Sequence, residues 1–201
     1  VSAGKISIVG ITDKWVSKNF CIERCHIYPS NLEYSIKNHI IEKTKAVINI
    51  LGIDNSPFHL EAKLTSDGFK IIECAARAAG DSITTHIIPL SLAVSHVENC
   101  LLASMGQEIQ SLKRPNYHAA VLFIFATQAG ILSSIKGLEQ VIQHPVVVSC
   151  KMHCSIGDKL SIPPEEFLNH RVLTIFLRDY EYLNIINTVK WIEKTVDVKI
   201  N

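Results

Sequence analysis

Phe58-His59-Leu60-Glu61-Ala62-Lys63-Leu64-Thr65-Ser66-Asp67-Gly68-Phe69-Lys70-Ile71-Ile72-Glu73-Cys74-Ala75 reads as two β-strands joined by a tight turn. Phe58 to Leu64 and Phe69 to Ala75 are the strands, and Thr65-Ser66-Asp67-Gly68 joins them, its Asp-Gly pair suiting a hairpin turn. The turn lies near the midpoint between Glu61 and Glu73, so a hairpin centred there makes the two glutamates near-opposite neighbours. Like charges facing each other on adjacent strands are unfavourable unless a cation lies between them or one is protonated. Magnesium answers that need, because it takes hard oxygen ligands and is commonly held by one or two carboxylates together with nucleotide phosphates and water. Arg77, four residues after Glu73, adds a planar fork suited to phosphate or carboxylate. Gly80 lets the backbone approach a ligand closely. The bland alternative is a solvated strand face on which Glu61 and Glu73 pair with Lys63 or Lys70.

Upstream of the hairpin, Leu32, Ile36, Ile40, Val47 and Leu51 recur near helical spacing, with Pro29 and Ser30 or Asn31 at the start and Gly52 at the stop. This predicts an amphipathic helix over 31–51. Ile6 to Ile11 is β-rich and is expected to be a strand, and its position almost at the first residue suggests a chain that starts inside a fold. Downstream, Leu90, Ala93, Val94, Val97, Leu101 and Leu102 predict a packing helix over 88–105, ended by Gly106. Beyond Pro115 the pattern turns to short β-rich segments, Ala119 to Phe125, Val146 to Met152 and Val172 to Leu177, then a helix around Tyr180 to Thr195 and a last strand Val196 to Ile200. The polar, proline-containing loop 111–116 is the expected boundary, dividing the chain into 1–112 and 113–201, the second a small α+β unit.

Composition narrows the function classes. A chain of 201 residues buries a substantial core, and 20 Lys+Arg against 19 Asp+Glu give a formal net charge of +1. That balance offers no basic footprint for nucleic acid or for an anionic membrane surface. Ala119 to Ala126 is far shorter than a membrane span, and the first residues lack a signal-peptide pattern, so the expectation is a soluble, cytoplasmic protein. Six cysteines, at 21, 25, 74, 100, 150 and 154, are expected to be reduced thiols.

The run Phe58-His59-Leu60-Glu61-Ala62-Lys63, then Asp67-Gly68, then Ile71-Ile72-Glu73-Cys74-Ala75-Ala76-Arg77-Ala78-Ala79-Gly80-Asp81, closely resembles the magnesium-binding hairpin of ATP-grasp enzymes. In that family the two glutamates bridge metal to the ATP phosphates and the arginine contacts the transferred phosphate or acyl-phosphate; by position these are Glu61, Glu73 and Arg77. Many members carry asparagine two residues after the second glutamate as a further metal ligand, whereas this chain has Ala75. Ile8 to Lys14 resembles the strand before a mobile segment of the fold, and Glu23 with His26 resembles the Glu-x-x-His element near the amino-acid substrate of bacilysin-synthetase-type L-amino-acid ligases. Segments 119–125, 130–137 and 157–158 resemble their small C-terminal domain.

The resemblance implies an α+β chain, the C-terminal half of an ATP-grasp fold over 1–112 plus a small C-terminal domain over 113–201. It implies ATP and Mg2+, or Mn2+, as cofactors, and an ATP-dependent ligase that activates a carboxylate, such as that of an amino acid, as an acyl-phosphate for attack by an amine. Arg77, His26 and Glu23 are the expected catalytic residues, with Gly80 and Asp81 beside the substrate; Asp81 is equally read as the cap of the next helix. The lobe that grips the α- and β-phosphates is not in these residues, so the expectation is a fragment, a truncated form or one chain of a split enzyme, partnered by an N-terminal half or a second copy. Two other readings stay open: a non-catalytic ATP-grasp-like binding or regulatory subunit, and a zinc module using Cys21, Cys25, His26, Cys150, His153 and Cys154.

Overall fold

The structure, a computed structural model of the chain, describes residues 1–112, 114–167 and 170–201. Of the expected boundary loop, Lys113 lies outside the described residues. Two compact units emerge: Val1–Ile11 with Ser30–Arg114, and Thr12–Pro29 with Pro115–Asn201. The division read from the sequence is contiguous at 112/113; the compact units are not, because the two strands within 12–29 join the sheet of the second unit.

In the first unit, helix α1 (Tyr34–Leu51) ends at Gly52, whose left-handed φ of 64° closes the last turn through N–H bonds to Asn49 and Ile48 carbonyls. It starts later than 31 because Ser30 Oγ accepts from Leu32 N and turns the chain first. Strands β3 (His59–Thr65) and β4 (Gly68–Ala75) form the antiparallel hairpin, its turn tied by Thr65 Oγ1. The expected strand over 6–11 is corrected: among the described residues that segment has no ladder partner, and β-rich composition alone does not make a strand.

The single helix expected over 88–105 is corrected too. A π-turn, Ile83–Ile87, leads into α2 (Ile88–Leu92), Ala93 adopts φ 55°, and α3 (His96–Ser104) starts afresh, the two helical pieces meeting at 118°. Ser95 Oγ accepts from Glu98 N, so a capping-box sequence inside the apolar pattern started a new helix. Asp81 does not cap the helical segment after it: it has φ 42°, and the residue at the cap position is Ser82, with no side-chain bond.

In the second unit, β1 (Asp13–Val16), β2 (Glu23–Tyr28), β5 (His118–Phe125), β7 (Val147–Met152) and β9 (Arg171–Asp179) build a five-stranded antiparallel sheet in the order β1-β2-β5-β9-β7. A smaller sheet pairs β10 (Asp197–Ile200), β6 (Gly130–Lys136) and β8 (Lys159–Leu160), and α4 (Leu138–Ile142) follows β6. Helix α5 (Tyr182–Thr195) places Ile185, Val189 and Ile192, spaced by four and three residues, onto Cys25, Ile27, Ala120, Leu122, Leu173, Ile175 and Leu177. Burial of these fully enclosed aliphatic side chains is the main source of the unit's stability, each worth about 1.5–3 kcal/mol. Tyr182 Oη donates to Asp13 Oδ2 at 2.8 Å, which ties the start of α5 to the edge strand; burial and this bond push the phenol well above its usual range.

Candidate functional site

The hairpin does not alternate regularly. Thr65 faces Gly68, Leu64 faces Phe69, Lys63 faces Lys70 and Ala62 faces Ile71, and then Glu61 faces Glu73, leaving Ile72 as an extra residue on β4. Without that bulge, simple alternation would place Glu73 on the opposite face from Glu61; with it, His59, Glu61, Glu73 and Ala75 share one face. Arg77 Nη2 donates to Glu73 Oε1 at 3.2 Å, and His59 Nε2 lies 3.2 Å from Glu61 Oε1. The two acids are thus direct cross-strand neighbours with a cationic fork on one and an imidazole on the other. A second Arg77 nitrogen donates to the Ala78 carbonyl, which orients the guanidinium along the strand end.

These donors fit magnesium in kind: two carboxylates on directly paired residues of one face of a ladder. Lys63 and Lys70 face each other farther along the same side, and Glu73 takes Arg77 as its partner. From the sequence His59, beside Glu61, is read as lacking a constellation; its position two residues before Glu61 on a strand, hence on the same face, is the signal that places it with the acid. Gly80 accepts from Ile83 N through its carbonyl, and Asp81 follows it with left-handed backbone, so both lie in the turn that leaves the hairpin.

Glu23 and His26 both lie on β2. Residues three apart on a regular strand point to opposite faces. Here Trp15 pairs with Cys25 and Val16 with Glu23, so Arg24 is the extra residue and Glu23 turns to the face of His26. Lys14 Nζ donates to Glu23 Oε1 at 2.8 Å, and His26 Nε2 lies 3.2 Å from Glu23 Oε2. Arg24, on the other side, reaches Glu193 of α5. The structure therefore brings Glu61, Glu73 and Arg77 together in one unit and Glu23 with His26 in the other.

The cysteines range from buried (Cys25 and Cys100) to exposed (Cys21). All six are free, and burial pushes the thiols of Cys25, Cys150 and Cys154 up, away from the thiolate that zinc binds. Among the described residues, the cysteines and histidines of the two Cys-containing segments form no group of three ligand atoms within 4.8 Å.

Residues 1–86 match the sequence model of the ATP-grasp domain. Among solved structures, L-amino acid ligase from Bacillus licheniformis matches with a TM-score of 0.88 and 22% identity over 100% of this chain and 50% of that one. Phosphoribosylglycinamide synthetase from Anaerococcus prevotii matches with a TM-score of 0.74 and 13% identity, covering 94% of this chain and 48% of its own. Biotin carboxylase from Campylobacter jejuni, solved as a β,γ-ATP complex, gives 0.67 and 13% over 99% and 44%. No curated protein matches by sequence. The chain spans about half the length of these solved structures.

Proposed function

We propose, from the premise that this chain has the ATP-grasp fold and that residues 1–86 belong to an ATP-grasp domain, that it serves an ATP- and Mg2+-dependent carboxylate–amine ligase. The substrate carboxylate is that of an amino acid, and the product is an amide or dipeptide with ADP and phosphate. The observation that carries this is the direct pairing of Glu61 with Glu73 on one face of the hairpin, with Arg77 on Glu73.

A carboxylate is a poor electrophile. Its oxygen takes the γ-phosphoryl group of ATP, ADP leaves, and the amine nitrogen then attacks the acyl carbon and expels phosphate. Glu61 and Glu73 would hold the divalent ion, Mg2+ or Mn2+, which when bound supplies positive charge against the phosphoryl oxygens. Arg77, already tethered at Glu73 and the Ala78 carbonyl, orients the acyl-phosphate with a bidentate fork. His59 fixes the rotamer of Glu61. Glu23 and His26 hold the ammonium of the amino acid, and Gly80 and Asp81 contribute to the substrate side of the turn after the hairpin.

Ala75 favours a second reading, a binding or regulatory subunit that keeps the fold without the chemistry. Glu73→Gln in the intact enzyme separates the two. It keeps the size of a half-exposed side chain and removes its charge, so the circular dichroism spectrum and melting temperature should hold while Mg2+-dependent ADP formation is abolished. ADP formation at the wild-type rate in that variant would refute the metal assignment. ATP and Mg2+ binding with no ADP formation by the intact wild-type protein would favour the regulatory subunit.

A further inference from the structure

The face of the five-stranded sheet that turns away from α5 carries a second chargeable residue placed by a bulge. Phe123 pairs with Thr174 and Ile124 with Leu173, but Phe125 pairs with Arg171, so Val172 is the extra residue. Val172 and Leu173 both enter the core under α5, and Arg171 is turned to the face of His26 and Phe123. There its guanidinium carbon lies 3.8 Å from the Phe123 ring centroid, and the Phe123 and His26 rings meet edge to face at 6.1 Å. Glu23, Phe123 and Arg171 therefore sit on three adjacent strands, β2, β5 and β9, facing the same way. The acid and the base are two strand spacings apart, about 9–10 Å between backbones.

Joining two amino acids consumes one carboxylate and one ammonium. The remaining ammonium and carboxylate end up at opposite termini of the product, and a site that selects amino acids over simple acids and amines must read both. An extended dipeptide spans at most about 7 Å, less than the two strand spacings between the backbones that carry Glu23 and Arg171, and a hydrogen bond of about 2.9 Å at each end lengthens its reach. Glu23 keeps acceptor capacity: Lys14 takes Oε1 and His26 meets Oε2, and an ionised carboxylate offers about four lone-pair sites. Stacking on Phe123 fixes the plane of the Arg171 fork, as bidentate reading of a carboxylate requires.

Resting on the ligase function proposed above, we infer that Arg171 holds the unreacted carboxylate of the amine substrate while Glu23 with His26 holds the ammonium of the carboxyl donor, so that this sheet face selects two amino acids by their outer ends. The test is calorimetric titration of the chain with L-alanyl-L-alanine, its C-terminal amide and its N-acetyl form. Wild type should bind the amide and the N-acetyl form at least about tenfold more weakly than the parent. Arg171→Met keeps an apolar stem on Phe123 and should bind parent and amide alike; Arg171→Lys should recover part of the discrimination; Glu23→Gln should bind parent and N-acetyl form alike. A wild-type protein indifferent to the amide, an Arg171→Met protein that still discriminates, or no saturable binding of the parent at millimolar concentration overturns the inference. These comparisons are made on ligands as well as variants, so a misfolded variant does not hide the answer. ADP formation by the intact enzyme with hydroxylamine as acceptor is read separately: its absence from wild type counts against the ligase function and leaves the titration to judge Arg171.

Discussion

Ala75 lies two residues beyond Glu73 and opposite His59, on the face that carries the paired glutamates. A methyl group there donates nothing to a cation, whereas an asparagine carbonyl at that point of the ladder adds a hard oxygen beside the two carboxylates. Under the proposed ligase function, Ala75→Asn should lower the Mg2+ concentration for half-maximal ADP formation, by up to about tenfold. A Mg2+ titration of the intact enzyme gives the number; an unchanged or raised midpoint would mean that residue 75 lies outside the coordination sphere. Gly137 makes a different kind of claim. It holds φ 79° at the start of α4, and a Cβ there would come within 2.2 Å of the Thr195 carbonyl oxygen, which is backbone and cannot swing aside. Gly137→Ala should destabilise the chain by about 1–3 kcal/mol from the backbone conformation alone, and further from the contact, read as a lowered midpoint in urea.

Three β-bulges decide what the sheets present. The extra residues are Ile72, Arg24 and Val172, and they aim Glu73, Glu23 and Arg171 respectively. None was legible in the sequence, because period-two alternation carries no mark of the position where a strand takes up an extra residue; only pairing with the partner strand reveals it. The hairpin itself, α1, β5, β7, β9, α5 and β10 were legible, since each has a clean apolar period or a glycine turn at its end. Strand β2 was missed for the opposite reason: Glu23, Arg24 and His26 make a segment polar by composition that is buried from Cys25 to Tyr28. The break between α2 and α3 was written in the sequence as Ser95-His96-Val97-Glu98, but the apolar residues on either side continue the helical rhythm across it. Ser95→Ala removes the side-chain acceptor of Glu98 N and should cost about 1 kcal/mol, measured by thermal or urea unfolding. A cost indistinguishable from zero would mean that packing alone starts α3.

Across the whole molecule, acid stability should be governed by histidines held neutral in the fold. His96 on α3, His153 beside β7 and His170 before β9 all have pKa values lowered from the ordinary 6.5, in each case first by burial. Lys151 and Arg171 push His153 down further, and Arg171 does the same to His170 against the opposing pull of Glu166. His153 is exposed but its Nε2 lies 2.7 Å from Thr174 Oγ1, whereas His170 is buried and stacks on Phe125 at 4.5 Å, so the His170 ring does not readily move out to be protonated. The unfolded chain takes up a proton at each of these sites near pH 6.5, where the folded chain does not. Stability from these groups is therefore intact above that value, falls as pH drops through it, and reaches its full loss only below the lowered folded values. Asp54 works in a separate window: backbone N–H bonds from Gly4 and Asn55 lower its pKa from 3.8, so its contribution disappears only at still lower pH. The melting temperature should be flat between about pH 8 and 7 and decline steadily from about 6.5 to 5. A combined variant carrying His96→Leu, His153→Gln and His170→Phe, in which none of the three positions can take up a proton, should flatten that decline. A wild-type melting temperature that holds or rises over the same acid range would show that these imidazoles take up protons in the fold as easily as in the unfolded chain.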